Sequence, residues 1–385
     1  MNLVNTRGRN WWCIAYFLLT IASLSFASLL HAQENERIKV GVIVGQESKK
    51  SSTSNIEKVC ILKSVSNHIS SYRDDVEFVF VENERSARRS AQAALELIEN
   101  NVDIALLPLI SKEAEPAADI LTAAGLPFIT SASGLQVIKD PRYGLSTMPS
   151  NLYQAQLLAD YYLSHYIGRR IHIVKTLSSR YSIEVANEFS RLVLERKPEV
   201  NITTHHFHLG SEKAISSHIE PGDVVFAPLF NPYIAILYHE IASKEVADIT
   251  ILGPDSIGGR TEFYDIIEQV SPHITLRFLK NWDNITKGIN SNLLHSYANT
   301  YCPFENVSFL TSYSFDLIQL IETNLDKFVA LDNKVDIVDI IKQSEYQTTI
   351  DGTRMSINGM GYNQKPMYLF EISPQGNILV DQLSR

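Results

Sequence analysis

One uninterrupted stretch, residues 102–134, constrains the fold of this 385-residue chain more than any other segment. It reads VDIALLPLISKEAEPAADILTAAGLPFITSASG: an apolar run, a segment with apolar residues at helical spacing, and a second apolar run that opens onto small hydroxyl residues. This order predicts a strand, a helix and a second strand. In a parallel sheet, Ser111 and residues 130–134 would then lie just beyond the carboxyl ends of two strands. Hydroxyls and backbone N–H groups at such an edge suit a carboxylate or another small polar group.

The N-terminus has the pattern of a secretory signal peptide. Arg7 and Arg9 precede a largely apolar stretch at 11–30, and a small residue, Ala32, follows at the expected cleavage position. We therefore expect residues 1–32 to be removed on export to the periplasm. The alternative is an uncleaved anchor, because about 20 apolar residues can just span a bilayer.

The charge of the remaining chain argues against a nucleic-acid partner. Removal of residues 1–32, which contain two arginines and no acidic residue, changes the formal net charge from −9 to −11. Nucleic-acid binding requires a basic face that can neutralise phosphates. No later stretch approaches 18 uninterrupted apolar residues, so we expect the exported chain to be soluble.

Strands and helices alternate along the first two thirds of the exported chain, which predicts parallel sheets covered by helices on both faces. Asn151 and Gln154 predict a capping-box-like start for one of these helices. The alternation changes after residue 275. Two helical segments, at about 308–328 and 335–343, are followed by β-type sequence at 367–372 and 378–380. Two α/β lobes are the simplest organisation that accounts for this pattern.

Several segments together resemble the type I periplasmic solute-binding proteins, known from the branched-chain amino-acid receptors of ABC importers. Residues 102–134 are similar to the family's G-P-L-x-S … G-V-P-x-I-S segment, and Met148-Pro-Ser-Asn151 to its x-P-S-D crossover into the second lobe. Leu252-Gly-Pro-Asp255 and the helix at 311–317 also resemble family segments, in the same order. The loop at 46–53 departs from the pattern, because it lacks the glycines of the family's S-G-x-x-A-x-x-G sequence.

This resemblance implies two Rossmann-like lobes with parallel sheets, joined by a three-strand hinge. Lobe 1 is expected to comprise 36–147 and 281–330, and lobe 2 to comprise 148–280 and 345–385. The chain would cross between the lobes near 146–150, 277–283 and 328–350. Cys60 and Cys302 both fall in lobe 1, so we predict a disulfide between them, which an oxidising compartment permits. The alternative is two separate buried thiols.

The resemblance also implies a ligand site with residues on two facing walls. Asp255 matches the acid that holds the ligand's ammonium in amino-acid-binding members, and an ammonium that leaves water needs a paired anion. Its alternative role is an aspartate in a surface turn. On the other wall, Ser131 and Ser133 are expected to bind a carboxylate, with turn stabilisation as the alternative. The further expected ligand contacts are Ser111, Ala132, Tyr181, Phe230 and Asn231.

No motif in the sequence indicates catalysis or a cofactor. A nucleophile elbow, a phosphate-binding Walker loop and the H-E-x-x-H zinc motif are all missing from the sequence. His205, His206 and His208 suggest a metal site, but consecutive side chains on a strand point to opposite faces. The sequence therefore favours an exposed polar strand at these histidines over a metal site.

We therefore expect a non-enzymatic receptor that closes two lobes on a small ligand, an amino acid or related compound. Its expected partner is the permease of an ABC importer. The alternative is a periplasmic interaction or sensory module of the same fold, similar to the activators of cell-wall synthases.

Overall fold

The computed structural model describes residues 37–45, 53–244, 247–257, 261–267, 269–280, 289–302, 307, 309–331, 333–349 and 352–385. The predicted signal segment at 1–32 lies outside the described residues. The same is true of most of the loop at 46–53 and of the end of the second expected crossing.

The described residues form twelve strands and eleven α-helices. The strands are β1 (Ile38–Val44), β2 (Val76–Glu82), β3 (Ile104–Leu107), β4 (Phe128–Thr130), β5 (Gly144–Ser146), β6 (Ile171–Lys175), β7 (Ile202–His206), β8 (Val224–Phe226), β9 (Ile249–Gly253), β10 (Ile274–Lys280), β11 (Met367–Ser373) and β12 (Gly376–Leu383). The helices are α1 (Thr53–Ser70), α2 (Ala87–Glu99), α3 (Ser111–Ala123), α4 (Asn151–His165), α5 (Arg180–Arg196), α6 (Glu212–Ser216), α7 (Tyr233–Ala242), α8 (Thr261–Ile267), α9 (Ile289–Tyr301), α10 (Phe309–Val329) and α11 (Ile337–Lys342). Within the described part of the chain, none of these helices has the length and apolar character of a membrane span.

Lobe 1 is built on a parallel sheet with the strand order β2-β1-β3-β4-β5. Every residue of β3 is buried, as expected for a parallel strand covered by helices on both faces. Helix α2 packs closely on β1, where a side chain at Gly41 would come within 2.7 Å of Leu97. The strand–helix–strand unit predicted at 102–134 is thus the centre of this lobe.

Lobe 2 is built on a seven-stranded sheet with the order β12-β11-β10-β9-β8-β6-β7. Strands β10, β9, β8, β6 and β7 are parallel, whereas β11 and β12 form an antiparallel hairpin that pairs with β10. The edge strand β7 carries His205 and His206, in agreement with the polar strand favoured by the sequence. The sequence does not predict strand β10, because the regular alternation of strands and helices ends near residue 275, within this strand.

Helix α4 begins the first crossing into lobe 2. Ser150, not Asn151, is its N-cap, because the Ser150 side chain accepts a hydrogen bond from the Tyr153 N–H at 3.2 Å. The predicted capping box at Asn151 and Gln154 is therefore wrong by one position. The Gln154 side chain is consequently available for a contact with a lobe 2 loop.

The last crossing lies later in the chain than expected. Residues 337–357 contribute buried side chains to the lobe 1 core, including Ile337, Ile341 and Tyr346. Tyr362 then forms a parallel bridge with Ser146 of β5, and the Asn363 N–H donates to the Ser146 carbonyl at 3.1 Å. The lobe 2 boundary expected near 345 therefore moves to about 364, because this segment buries its apolar side chains against lobe 1.

The helix expected at 308–328 is α10, and it packs on α1 and β1 of lobe 1. Cys302, at the end of α9, forms a disulfide with Cys60 of α1, with Cα atoms 5.9 Å apart. The disulfide connects two helices of lobe 1 across a sequence separation of 242 residues.

Asp316 of α10 holds the segment before the last crossing in place. Its Oδ1 accepts hydrogen bonds from the Tyr346 hydroxyl at 2.6 Å, the Thr349 N–H at 2.9 Å and the Thr349 hydroxyl. The carboxyl group is completely buried, and this burial raises its pKa from 3.8 to about 6 against the opposing effect of these hydrogen bonds and of Lys365.

Replacement of both disulfide cysteines, C60S/C302S, is expected to lower the free energy of unfolding by about 5 kcal/mol, because a long loop is no longer closed in the unfolded chain. Urea unfolding of both proteins measures the difference. Reductant should destabilise the wild type and leave the double variant unchanged. Two free thiols in unreduced wild-type protein would contradict the disulfide.

Titration of Asp316 should lower the free energy of unfolding of the wild type as the pH rises from about 4 to about 6. In that range the folded chain keeps the Asp316 proton and the unfolded chain releases it, so each added pH unit favours unfolding. Asp316→Asn keeps the oxygen acceptor but removes the titration. The wild type should therefore lose roughly 2 kcal/mol relative to this variant over the range. Urea unfolding at several pH values measures this, and a constant difference would contradict it.

Candidate functional site

The predicted site residues lie beyond the carboxyl ends of five parallel strands. Ser111 follows β3 and residues 131–133 follow β4 in lobe 1, whereas Tyr181, Phe230–Asn231 and Asp255 follow β6, β8 and β9 in lobe 2. Open α/β sheets bind ligands at this edge. We refer to the lobe 1 loops as the hydroxyl wall (Ser111 and 130–134) and to the lobe 2 loops as the acidic wall (Tyr181, Phe230, Asn231 and Asp255).

Ser111 stabilises the hydroxyl wall from within. Its Oγ accepts a hydrogen bond from the Gly134 N–H at 3.0 Å, which ties the start of α3 to the turn after β4. A side chain at Gly134 would lie 2.8 Å from this Oγ, so the close approach requires glycine. Ser111 is the first residue of α3, and the N-cap of that helix, Ile110, makes no side-chain capping hydrogen bond. The Ser111 hydroxyl thus holds the turn after β4 rather than the start of the helix.

Ser131 and Ser133 present donors that the rest of the described chain does not use. Three carbonyls of this turn are occupied: Ser146 Oγ donates to Ala132, the Asn151 N–H to Ser133 and the Tyr362 hydroxyl to Gly134. Among the described residues, no hydrogen bond involves the hydroxyls of Ser131 and Ser133 or the N–H of Ser133. The wall therefore presents three unused donor groups.

Ala132 takes a different position from its two serine neighbours. It is buried, and its N–H donates to Thr130 Oγ1 at 3.1 Å while its carbonyl accepts from Ser146. Both of its backbone polar groups are thus engaged within lobe 1. It contributes the shape of the turn and leaves the neighbouring serines to provide polar groups.

The acidic wall combines a carboxylate with two aromatic rings. The Tyr181 hydroxyl donates to Asp255 Oδ1 at 3.3 Å, and the Tyr181 and Phe230 ring centroids are 4.7 Å apart. Burial, and next the charge of Asp255, raise the pKa of Tyr181 well above its usual value. Tyr181 therefore remains a protonated donor at neutral pH. Phe230 is 43% exposed, so part of its side chain is accessible.

Asn231 is held by one end of its amide. Its Nδ2 donates to the Ile257 carbonyl at 3.1 Å, while its buried Oδ1 has no hydrogen-bond partner among the described residues. The side chain thus connects the loop after β8 with the loop after β9. Its Oδ1 remains an unused acceptor among the described residues.

The first turn of α4 contacts both walls. The Asn151 N–H donates to the Ser133 carbonyl at 2.9 Å, and Gln154 Oε1 accepts from the Asp255 N–H at 3.1 Å. Both side chains are buried, and both keep an unpaired polar atom among the described residues: Asn151 Oδ1 and Gln154 Nε2. We did not predict Gln154 as a site residue. Its position one helical turn after the crossover is the signal that could have found it.

Two more buried polar atoms next to these walls lack a partner within the described chain. Gln136 Oε1 is one, and its side chain lies where a Cβ on Gly134 would meet it. The other is Glu184 Oε2 on α5, one turn after Arg180. A buried polar atom without a partner costs about 1–3 kcal/mol. The concentration of such atoms at one edge is typical of a ligand site rather than of a core.

One ion pair joins the two lobes among those recorded for the described residues. Arg180 of α5 lies 3.4 Å from Glu115 of α3, and it also pairs with Glu184 at 2.9 Å. Arg180 is mostly exposed, so this pair contributes little to stability. Its position shows that the two walls approach each other in this structure.

His205 of β7 contacts a polar side chain of the neighbouring strand β6. His205 Nε2 lies 2.9 Å from Nδ1 of the buried His172, whose Nε2 contacts Asp223 at 3.0 Å. Within the described part of the chain, no group of three or more His, Cys, Asp or Glu side chains could hold a metal ion. His205 therefore belongs to a histidine and aspartate network at the sheet edge.

Comparisons with known proteins agree with this architecture. No protein-family model and no curated protein sequence matches the chain. Solved structures do match over most of its length. The substrate-binding protein LivJ of Streptococcus pneumoniae, in complex with isoleucine, has a TM-score of 0.70 and 16% identity, covering 89% of this chain and 99% of LivJ. The leucine-binding protein LivK of Thermotoga maritima has a TM-score of 0.73 and 14% identity, covering 90% and 99%.

A solute-binding protein of an ABC transporter from R. palustris, in complex with 4-hydroxybenzoate, is similar at a TM-score of 0.71. It is 14% identical, and the match covers 90% of this chain and 97% of that protein. The chain thus has the two-lobed type I periplasmic-binding-protein fold.

Ser111→Ala is expected to lower the free energy of unfolding by about 1 kcal/mol, because the Gly134 N–H loses its acceptor. Ser131→Ala is the matched control and should change it by less than about 0.5 kcal/mol. Urea unfolding of the ligand-free proteins measures both values. Equal effects of the two substitutions would contradict the different roles assigned to these serines.

Proposed function

We propose that this chain is an exported solute-binding receptor that holds an amino acid between its lobes and delivers it to an ABC importer. The observation that carries the proposal is the complementarity of the two walls: unused donors on one and a carboxylate beside two aromatic rings on the other. Chemically, this arrangement suits a ligand with a carboxylate and an ammonium group.

The hydroxyl wall would bind the carboxylate of the ligand. The hydroxyls of Ser131 and Ser133 and the Ser133 N–H are three donors on neighbouring residues, and a carboxylate has lone pairs for all of them. Hydrogen bonds to a charged group contribute about 1.5–3 kcal/mol each. Isoleucine and 4-hydroxybenzoate, the ligands of two structural neighbours, share a carboxylate.

The acidic wall would bind the ammonium of the ligand. Asp255 supplies the opposite charge, and the Tyr181 hydroxyl holds one of its carboxylate oxygens. The rings of Tyr181 and Phe230 lie next to this carboxylate, and aromatic faces attract a cation electrostatically. An aromatic acid without an amino group would not use Asp255, so this residue distinguishes the two ligand classes.

Binding would act by favouring the closed arrangement of the lobes. The ligand contacts both walls only when they face each other, and it therefore stabilises that state by its difference in affinity. The first and last crossings run side by side where Tyr362 bridges Ser146, which suits a hinge movement of two rigid lobes. The pair of Arg180 and Glu115 is already formed in this structure, as expected of two walls that face each other.

Asp255→Asn is expected to weaken amino-acid binding by more than about tenfold, because the ligand ammonium loses its charged partner; truncation of such a buried partner costs about 2–5 kcal/mol. Isothermal titration with a panel of amino acids and aromatic acids measures the affinities. The control is Asp265→Asn, which changes an exposed acid of the same lobe.

If Asp255→Asn binds amino acids like the wild type, the role of Asp255 is wrong. If the variant selectively loses amino acids but keeps aromatic acids, the proposed orientation of the ligand is supported. If the wild type binds no small carboxylate, the proposed function is wrong and an interaction or sensory module is favoured.

A further inference from the structure

A buried lysine lies at the same edge of lobe 1 as the hydroxyl wall. Lys58 of α1 is only 7% exposed, although lysine rarely occupies such a position without a charged partner. Neither the sequence motifs nor the resemblance to known proteins pointed to it, because it lies within a helix just after the loop that departs from the family pattern.

The Lys58 ammonium has a single acceptor among the described residues, the Pro108 carbonyl at 2.8 Å from Nζ. The nearby carboxylate of Glu113 is already engaged: its Oε1 pairs with Arg85 Nε at 3.0 Å and its Oε2 accepts from Asn83 Nδ2 at 3.1 Å. An ammonium has three N–H donors, so two remain unused within the described chain.

Lys58 is also charged at neutral pH. Burial, and next the charge of Arg85, lower its pKa to about 8, whereas Glu113 opposes this shift. Lys58 and Arg85 together carry two positive charges against the single negative charge of Glu113. This part of the lobe 1 edge therefore has an uncompensated positive charge.

The Lys58 ammonium lies at the end of β3, the strand that pairs with β4, and β4 leads into the serine turn. The Pro108 carbonyl that holds Lys58 is adjacent in the chain to the Leu107 carbonyl. Leu107 accepts hydrogen bonds from the Ser131 N–H at 3.3 Å and from Thr130 Oγ1 at 2.9 Å. The Pro108 carbonyl thus binds the Lys58 ammonium, and the Leu107 carbonyl, one residue earlier, binds the start of the serine turn.

We propose that Lys58 binds a second anionic group of the ligand, and that the ligand is an amino acid with an acidic side chain. The inference rests on the proposed function and adds its substrate class. One ligand carboxylate contacts the serines, the ammonium contacts Asp255, and the side-chain carboxylate pairs with Lys58. This third contact provides the negative charge that a buried ammonium requires.

The test compares acidic amino acids with their uncharged amides. L-glutamate and L-glutamine have nearly the same shape and differ in charge, as do L-aspartate and L-asparagine. Isothermal titration of the wild type should give at least tenfold tighter binding for one of the two acids than for its amide. Lys58→Met, which keeps the length of the side chain but removes the charge, should bring this ratio close to one. Lys58→Arg keeps the charge and should retain the preference.

The outcomes separate this inference from the function on which it rests. If the wild type binds glutamine, asparagine or leucine as tightly as the acids, the role of Lys58 is wrong but the receptor function stands. If Lys58→Met loses the acid and its amide equally, the residue acts only in folding, and the inference is overturned. If the wild type binds no amino acid or aromatic acid, the receptor function itself fails. The ratio measured on the wild type decides the substrate class even if Lys58→Met does not fold.

Discussion

Parallel strand pairing is the constraint on which the rest of this structure depends. Strands that pair in parallel end at the same edge, so the loops after β3 and β4 must meet in lobe 1, and those after β6, β8 and β9 must meet in lobe 2. Helices cover both faces of each sheet, and the core strands are buried on both sides. A polar ligand can therefore be accommodated only at the edges, where backbone groups leave the sheet and side chains are short.

The two edges differ in the polar groups that they present. In lobe 1, the carbonyls of Ala132, Ser133 and Gly134 accept from Ser146, Asn151 and Tyr362, and the hydroxyls of Ser131 and Ser133 remain as donors. In lobe 2, Asp255 provides a carboxylate, and Tyr181 keeps its proton because burial and that carboxylate raise its pKa. On the proposed function, this asymmetry would give a ligand with two charged ends one favourable orientation. The start of α4 contacts both walls, because the Asn151 N–H donates to the Ser133 carbonyl and the Gln154 side chain accepts from the Asp255 N–H.

The connection between the lobes is better anchored on the lobe 1 side. The segment after α11 is fixed by Asp316, whose buried carboxylate accepts hydrogen bonds from Tyr346 and Thr349. Residues 361–363 then run beside the end of β5, so the first and last connections leave lobe 1 together. On the proposed function, this arrangement would let lobe 2 move as a unit while residues of the first and last connections absorb the change in backbone angles.

The sequence by itself determined the alternation of strands and helices, the two-lobed architecture and the edge at which small hydroxyl residues gather, because these features follow from hydrophobic periodicity and turn residues along the chain. It also identified Ser131, Ser133, Tyr181 and Asp255 as residues of that edge. Only the tertiary structure decided that Ser111 Oγ accepts a hydrogen bond from the Gly134 N–H and that Gln154 contacts Asp255. It also decided that residues 337–363 pack with lobe 1. It alone placed the buried Lys58 ammonium at the Pro108 carbonyl, just beyond the end of β3, without an ion pair among the described residues. These outcomes depend on which hydrogen bonds and apolar contacts are satisfied between distant segments, and local sequence patterns carry no information about such pairings.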